Sequence, residues 1–171
     1  RVPVAQQVEL VLLAFRLPPF VKKAKRLLTF HPKFFFSDAG IFSSLRPRGP
    51  LDSPEQVEGA ALEGLVAQHL LAWISYGGGD QRLHYWRTRA GLEVDFVVYG
   101  AKTFFALEIK RSRRISERDL APLRAFREDY PQARLALLYG GTETLKMLGI
   151  PCLPCEEFLR NLTPGKLPPG L

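Results

Sequence analysis

From His84 to Arg114 the chain reads HYWRTRAGLEVDFVVYGAKTFFALEIKRSRR, and no other stretch constrains the fold as strongly. Ala90-Gly91 and Gly100-Ala101 supply turn signals between runs rich in β-branched and aromatic residues, a pattern that predicts three consecutive antiparallel strands. Side chains alternate faces along a strand. In the second strand Leu92, Val94, Phe96 and Val98 should share one face and leave Glu93 and Asp95 on the other; in the third, Phe105, Leu107 and Ile109 should oppose Glu108 and Lys110. A two-residue turn at Gly100-Ala101 sets Asp95 opposite Ala106 and diagonal to Glu108, with Cα atoms about 7–8 Å apart. Two carboxylates so placed can reach inward to share one divalent cation, and Lys110 stands beside them to activate a nucleophile or steady a phosphate. The pattern suits metal-assisted hydrolysis of a phosphodiester. A two-residue turn at Ala90-Gly91 would set Trp86 opposite Asp95, where it either walls the site, stacks a base, or packs as a half-buried aromatic.

The strongest helix signal is Ser53-Pro54-Glu55-Gln56, with Ser53 as N-cap, Pro54 at the first helical position and Gln56 closing a capping box. That helix should run to about Tyr76, before Gly77-Gly78-Gly79. Glu63 has Gly59, Ala60, Val66 and Ala67 one turn away, so it leaves from a small, apolar face. A carboxylate there needs a cation or a basic partner; a surface charge or an ion pair with Lys110 are the plainer readings.

The rest of the chain is less specific. Val8, Val11, Leu12 and Phe15 give a short helix over 4–15, stopped by Pro18-Pro19. Residues 21–36 read as a hairpin with one basic strand carrying Lys22, Lys23, Lys25 and Arg26, fit either for contact with a DNA backbone or for guarding a sheet edge. Arg46-Pro47-Arg48-Gly49-Pro50 reads as a linker, which puts a boundary near residues 45–53. Ser116 should cap a helix with Leu120, Leu123 and Phe126 as its core stripe. Arg134 to Tyr139 reads as a buried strand parallel to the third, reached by a crossover. Thr142 to Leu148 is expected as a helix, Ile150 to Leu153 as an edge strand, Cys155 to Leu162 as a last helix and 164–171 as a loose tail. Arg111, Arg113 and Arg114 cluster where the third strand ends; they suit a passing phosphate backbone, or simply a solvated loop.

Asp95 followed after a short hairpin by Glu108-Ile109-Lys110 resembles the Asp…Glu-x-Lys core of the PD-(D/E)xK nuclease superfamily. More narrowly, Tyr85-Trp86-Arg87-Thr88 and Gly91-Leu92-Glu93-Val94-Asp95-Phe96 resemble the uncharacterised C-terminal domain of a large group of prokaryotic P-loop ATPases, regarded as a divergent member of that superfamily. Pro32 to Gly40 resembles the segment preceding the domain, Gly59 and Glu63 fit its next helix, and the likeness covers roughly residues 6 to 162. It implies an α/β fold, a restriction-endonuclease-like core of order α-β-β-β-α-β with a mixed sheet flanked by helices, an order that the strand and turn signals also give. It further implies a winged-helix-like remnant within 1–50 and a nuclease-like domain over 51–163. Asp95, Glu108 and Lys110 would be catalytic, with Mg²⁺ or Mn²⁺ held by Asp95, Glu108 and Glu63, and Glu93 accessory. Val94 stands where the superfamily name has proline. No G-x-x-x-x-G-K-[ST] loop occurs, so the ATPase module would lie elsewhere in a longer parent chain, an expectation with which Arg1 in place of methionine agrees.

Composition adds bounds. With 171 residues, 46% of them hydrophobic, the chain can bury one full core. A net charge of +7 favours polyanionic partners, DNA foremost. Cys152 and Cys155 form a lone C-x-x-C, half a zinc site, and read as ordinary thiols of a reducing compartment. With no apolar run of membrane-spanning length and no signal peptide, the parent is expected in the cytoplasm. Three functions follow in order: a metal-dependent nuclease domain, a catalytically inactive nucleic-acid- or protein-binding module of an ATPase, and a structural domain in which Asp95, Glu108 and Lys110 form a buried ion network.

Overall fold

The structure, a computed structural model, describes residues 14–22, 25–38, 40–41, 44 and 53–171. Its strands are β1 (Ala14–Leu17), β2 (Lys33–Phe36), β3 (Arg82–Arg87), β4 (Glu93–Gly100), β5 (Thr103–Lys110), β6 (Arg134–Tyr139), β7 (Leu145–Met147) and β8 (Ile150–Pro154). Its helices are α1 (Pro54–Gly77), α2 (Ala121–Asp129) and α3 (Cys155–Arg160). Strands β1 and β2 pair with each other, and the rest form a six-stranded mixed sheet in the order β3-β4-β5-β6-β8-β7.

The sheet divides two cores. On one face Val66, Ala67, Leu70 and Trp73 of α1 pack with Phe96, Val98, Phe105, Leu107 and Phe158. On the other, Leu120, Leu123 and Phe126 pack with Trp86, Val97, Ala106 and Leu137. The expected stripe of α2 is thus fully buried. Ser116 starts a short 3₁₀ turn, Glu117–Leu120, where Asp119 accepts its N–H at 2.7 Å, and α2 follows directly. β5 and β6 run parallel, Glu108 against Leu137, as a crossover through α2 requires. The segment after Thr163 is held to α1, whose Trp73 indole donates to the carbonyls of Thr163 and Lys166 at 2.9 and 3.1 Å.

Several expectations need correction. The expected hairpin is not formed as read: β2 pairs with β1, Lys33 against Leu17, and of the described basic residues Lys22 lies in a turn and Lys25 and Arg26 in a bend. Ala14 and Phe15, expected at the end of a helix, begin strand β1; the remainder of that helix, Lys23 and the 46–50 linker lie outside the described residues. The β4–β5 turn sits at Ala101-Lys102, because Gly100 pairs with Thr103. Sliding a two-residue turn by one position moves each pairing by two, so the faces survive while the opposed residue changes. Thr142 to Leu148 holds strand β7, which returns into β8 through Leu148 and Gly149, both at positive φ (51° and 76°), the backbone of a tight hairpin. β8 is therefore interior, between β6 and β7.

The turn between β3 and β4 is longer than Ala90-Gly91. Thr88 N–H donates to Leu92 O at 2.9 Å, its Oγ1 accepts from Leu92 N–H at 3.1 Å, and Gly91 takes φ 92°. His84 pairs with Val97 but Trp86 with Val94, so Asp95 and Phe96 together face the single residue Tyr85. This two-for-one bulge breaks the alternation of β4. Val94 and Phe96, expected on one face, lie in opposite cores. Trp86 is buried edge-on to Phe126, ring centroids 5.4 Å apart, and stands opposite Val94 rather than Asp95.

β3 is an outer strand of the sheet, yet its free edge is covered. An irregular segment of the N-terminal part runs along it: Phe20 N–H donates to Tyr85 O (2.6 Å), Tyr85 N–H to Pro18 O (3.2 Å), Thr29 N–H to Arg87 O (2.9 Å) and Arg89 N–H to Leu27 O (2.9 Å). Phe20 inserts into an aromatic cluster with Tyr99, Phe104 and Tyr130, and Arg26 pairs with Glu128 and the buried Asp129. Among the described residues, no helix is long and apolar enough to cross a membrane.

Candidate functional site

The bulge on β4 and the end of β5 bring the expected carboxylates together. The β4–β5 ladder runs as far as Phe96 against Leu107. One step further the Asp95 side chain takes over, its Oδ2 accepting the Ile109 N–H at 2.8 Å, and continuing the register sets Asp95 opposite Glu108. Both are buried, Asp95 at 7% exposure and Glu108 at 3%. Lys110 Nζ donates to Glu108 Oε1 at 2.7 Å, while Glu108 Oε2 is buried with no hydrogen-bond partner among the described residues.

Burial and like charge act together on these groups. Burial pushes the Asp95 carboxyl well above the usual carboxylate range, and the charges of Glu108 and Glu63 add to it, against Lys33 and the Ile109 N–H. Burial likewise lifts Glu108 to about 7, although Lys110 pulls the other way. Burial lowers the Lys110 ammonium, but its charge pairing and hydrogen bond with Glu108, helped by Asp95 and Asp119, outweigh it and leave the pKa raised.

The residue absent from the sequence reading is Lys33. From β2 its ammonium reaches Glu93 in a close ion pair, Glu63 Oε2 at 3.5 Å and Asp95 Oδ1 at 3.8 Å. The ammonium also lies over the rings of Phe35 and Tyr85, each centroid 5.7 Å from Nζ. Glu63 therefore does face the cluster, with Lys33 rather than Lys110 as its partner. Glu93 is shared between Lys33 and Arg87, the latter at 3.4 Å. No three Asp, Glu, His or Cys side chains among the described residues stand in a metal-ligating group. No local signal marks Lys33 beyond its place at the head of an aromatic run; its partners are set by chain pairing at long range.

The basic residues separate into two sets. Arg26 donates to the carbonyl of Ala125 at 2.8 Å besides its two ion pairs, Lys25 reaches Glu128 O at 3.2 Å, and Lys22 sits over the Tyr99 ring at 4.5 Å. These three contact the protein itself. Arg111 and Arg113 instead line an open groove of about 530 Å³ at the carboxyl ends of β5 and β6, with His69, Thr142 and Arg160; Arg114 lines a neighbouring recess. Gly140 is required at its floor, since a Cβ there would lie 2.2 Å from Arg111 O. Arg111 also pairs with Glu58 of α1.

Residues 58–158, more than half of the chain, match a family described as a domain of unknown function, DUF4143. The chain belongs to that family. No curated protein and no solved structure matches it.

Proposed function

We propose that this is a divalent-metal-dependent nuclease-like domain of the PD-(D/E)xK type, on a restriction-endonuclease-like core, hydrolysing phosphodiester bonds in DNA in concert with an ATPase module of its parent protein. The observation that carries the reading is the pairing of Asp95 and Glu108: two buried carboxylates on adjoining strands, both pushed towards protonation. Such a pair is costly even with Lys110 and Lys33 beside it, and Glu108 Oε2, which has no hydrogen-bond partner among the described residues, is open to a further ligand contact. Asp95 and Glu108 would hold Mg²⁺ or Mn²⁺, and Glu63 and Glu93, engaged by Lys33, would support it from farther out. Bound there, the ion would polarise a phosphoryl oxygen and acidify a water. Lys110, anchored on Glu108, orients that water or offsets charge developing on the phosphate. Arg111, Arg113 and Arg114, at the exit of β5, suit the phosphate backbone. The two free, buried thiols agree with a reducing, cytoplasmic setting.

A second reading has one observation behind it. Lys33 already compensates Glu63, Glu93 and Asp95, as it would in a nucleic-acid- or protein-binding module that has lost turnover. The test is cleavage of labelled single- and double-stranded DNA with Mg²⁺ or Mn²⁺, beside Asp95→Ala and Lys110→Ala. Cleavage abolished in both variants and by chelator supports the nuclease; retained DNA binding without cleavage in all three proteins moves the assignment to the binding module.

A further inference from the structure

Lys33 reaches the carboxylates from a strand outside the matched 58–158 segment. It is not a stray surface lysine: its side chain is 24% exposed and three carboxylates from α1 and β4 surround its ammonium. The strand that carries it is held in place independently. Phe35 stacks on Phe15 of β1 at 5.6 Å and packs against Phe96 at 6.0 Å, and Tyr85 OH donates to the carbonyl of His31, just ahead of β2. Asp95, which lies within this shell, is also the residue that a divalent cation would use. An ammonium and a divalent ion sharing one buried carboxylate repel each other at such separations, so each weakens the other's hold on Asp95.

We infer that the Lys33 ammonium is a resident counter-ion of the Glu63–Glu93–Asp95 cluster, and that a divalent cation binds tightly at the adjoining Asp95–Glu108 pair as Lys33 withdraws, which makes β2 a latch on the site. The inference rests on the metal-dependent reading above and adds a regulation to it. Its physical content is a linkage: whatever draws β2 away, a DNA strand or another part of the parent protein, strengthens cation binding, and the cation in turn weakens the hold on β2.

The test measures Mn²⁺ binding by titration calorimetry to the full chain as wild type, Lys33→Met and Lys33→Arg. Methionine keeps an unbranched side chain but removes the charge. Lys33→Met should bind Mn²⁺ about tenfold more tightly or better, and Lys33→Arg no more tightly than wild type. In parallel, reductive methylation of wild-type Lys33, followed by mass spectrometry, should accelerate when Mn²⁺ is present. Equal or weaker binding by Lys33→Met, with Lys33 reactivity indifferent to Mn²⁺, overturns the latch and leaves the metal site standing. Failure of wild type and both variants to bind Mn²⁺ overturns the metal reading and the latch together. Should Lys33→Met lose its fold by circular dichroism, the methylation rates on wild type decide alone.

Discussion

The Asp95 carboxylate accepts the backbone N–H of Ile109 at 2.8 Å, one step beyond the last rung between β4 and β5. A side chain thus does what a strand carbonyl does elsewhere in the sheet, which gives Asp95 a structural task separate from any chemistry. Asp95→Asn keeps an acceptor for Ile109 and removes the repulsion with Glu108 and Glu63; Asp95→Ala leaves a buried donor unpaired. At neutral pH we expect Asp95→Asn to match or exceed wild-type stability, and Asp95→Ala to fall below Asp95→Asn by about 1–3 kcal/mol in urea unfolding. Equal stability of the two variants would show that the bond to Ile109 contributes nothing.

Glu108 gives a pH dependence of definite sign. The unfolded chain releases this proton near 4.5 and the folded protein holds it to about 7. Between those values the native state binds more protons, so the contribution of Glu108 to stability declines as pH rises across that window. Asp95, also raised, acts in the same direction. The Tm of metal-free wild type, followed from about pH 4.5 to 7, should fall relative to that of Glu108→Gln over the same range. A parallel pair of curves would refute the assignment.

Cys152 and Cys155 should behave as inert packing. Cys152 belongs to the core under α2 and Cys155 to the core under α1, on opposite faces of the sheet, and burial lifts the Cys155 thiol to about 11. Thiolate is the reactive form, so a thiol-titrating dye at neutral pH should find neither cysteine in the native protein and both after denaturation. Rapid reaction of either in the folded state would contradict this placement.

Arg26 and Arg113 should part company. Arg26→Ala strands the buried Asp129 carboxylate and should cost about 2 kcal/mol, less than a fully buried pair because Arg26 is 32% exposed, with little effect on DNA retention. Arg113→Ala should leave unfolding unchanged and weaken retention on a DNA column, most clearly at low salt. The opposite pattern would return the basic run to the nucleic-acid interface.

Much of this layout is written locally in the chain. Ser53 and Pro54 announce α1, the alternation through Thr103 to Lys110 announces β5, and the Leu120-Leu123-Phe126 spacing announces α2, because each is a one-element decision between period and turn. Glu108 and Lys110 were legible for that reason. Decisions involving two strands were not. Periodicity averages over β4 and so hides the bulge that puts Asp95 and Phe96 against Tyr85. Leu148 is a poor advertisement for a positive-φ turn, which disguised β7 as helix. Lys33 escaped because its partners lie 30 to 62 positions away, in α1 and β4.

The residues that seal the outer edge of β3, 18–20 and 27–29, lie wholly upstream of residue 58, where the family match begins. The stretch that matches the family and the unit of folding therefore have different borders. A piece trimmed to the matched stretch would keep Asp95, Glu108 and Lys110, yet present the backbone of Tyr85 and Arg87 bare, without Phe20 to plug the aromatic cluster. Bare β-edges recruit one another, so such a piece would meet its own copies before it met a substrate.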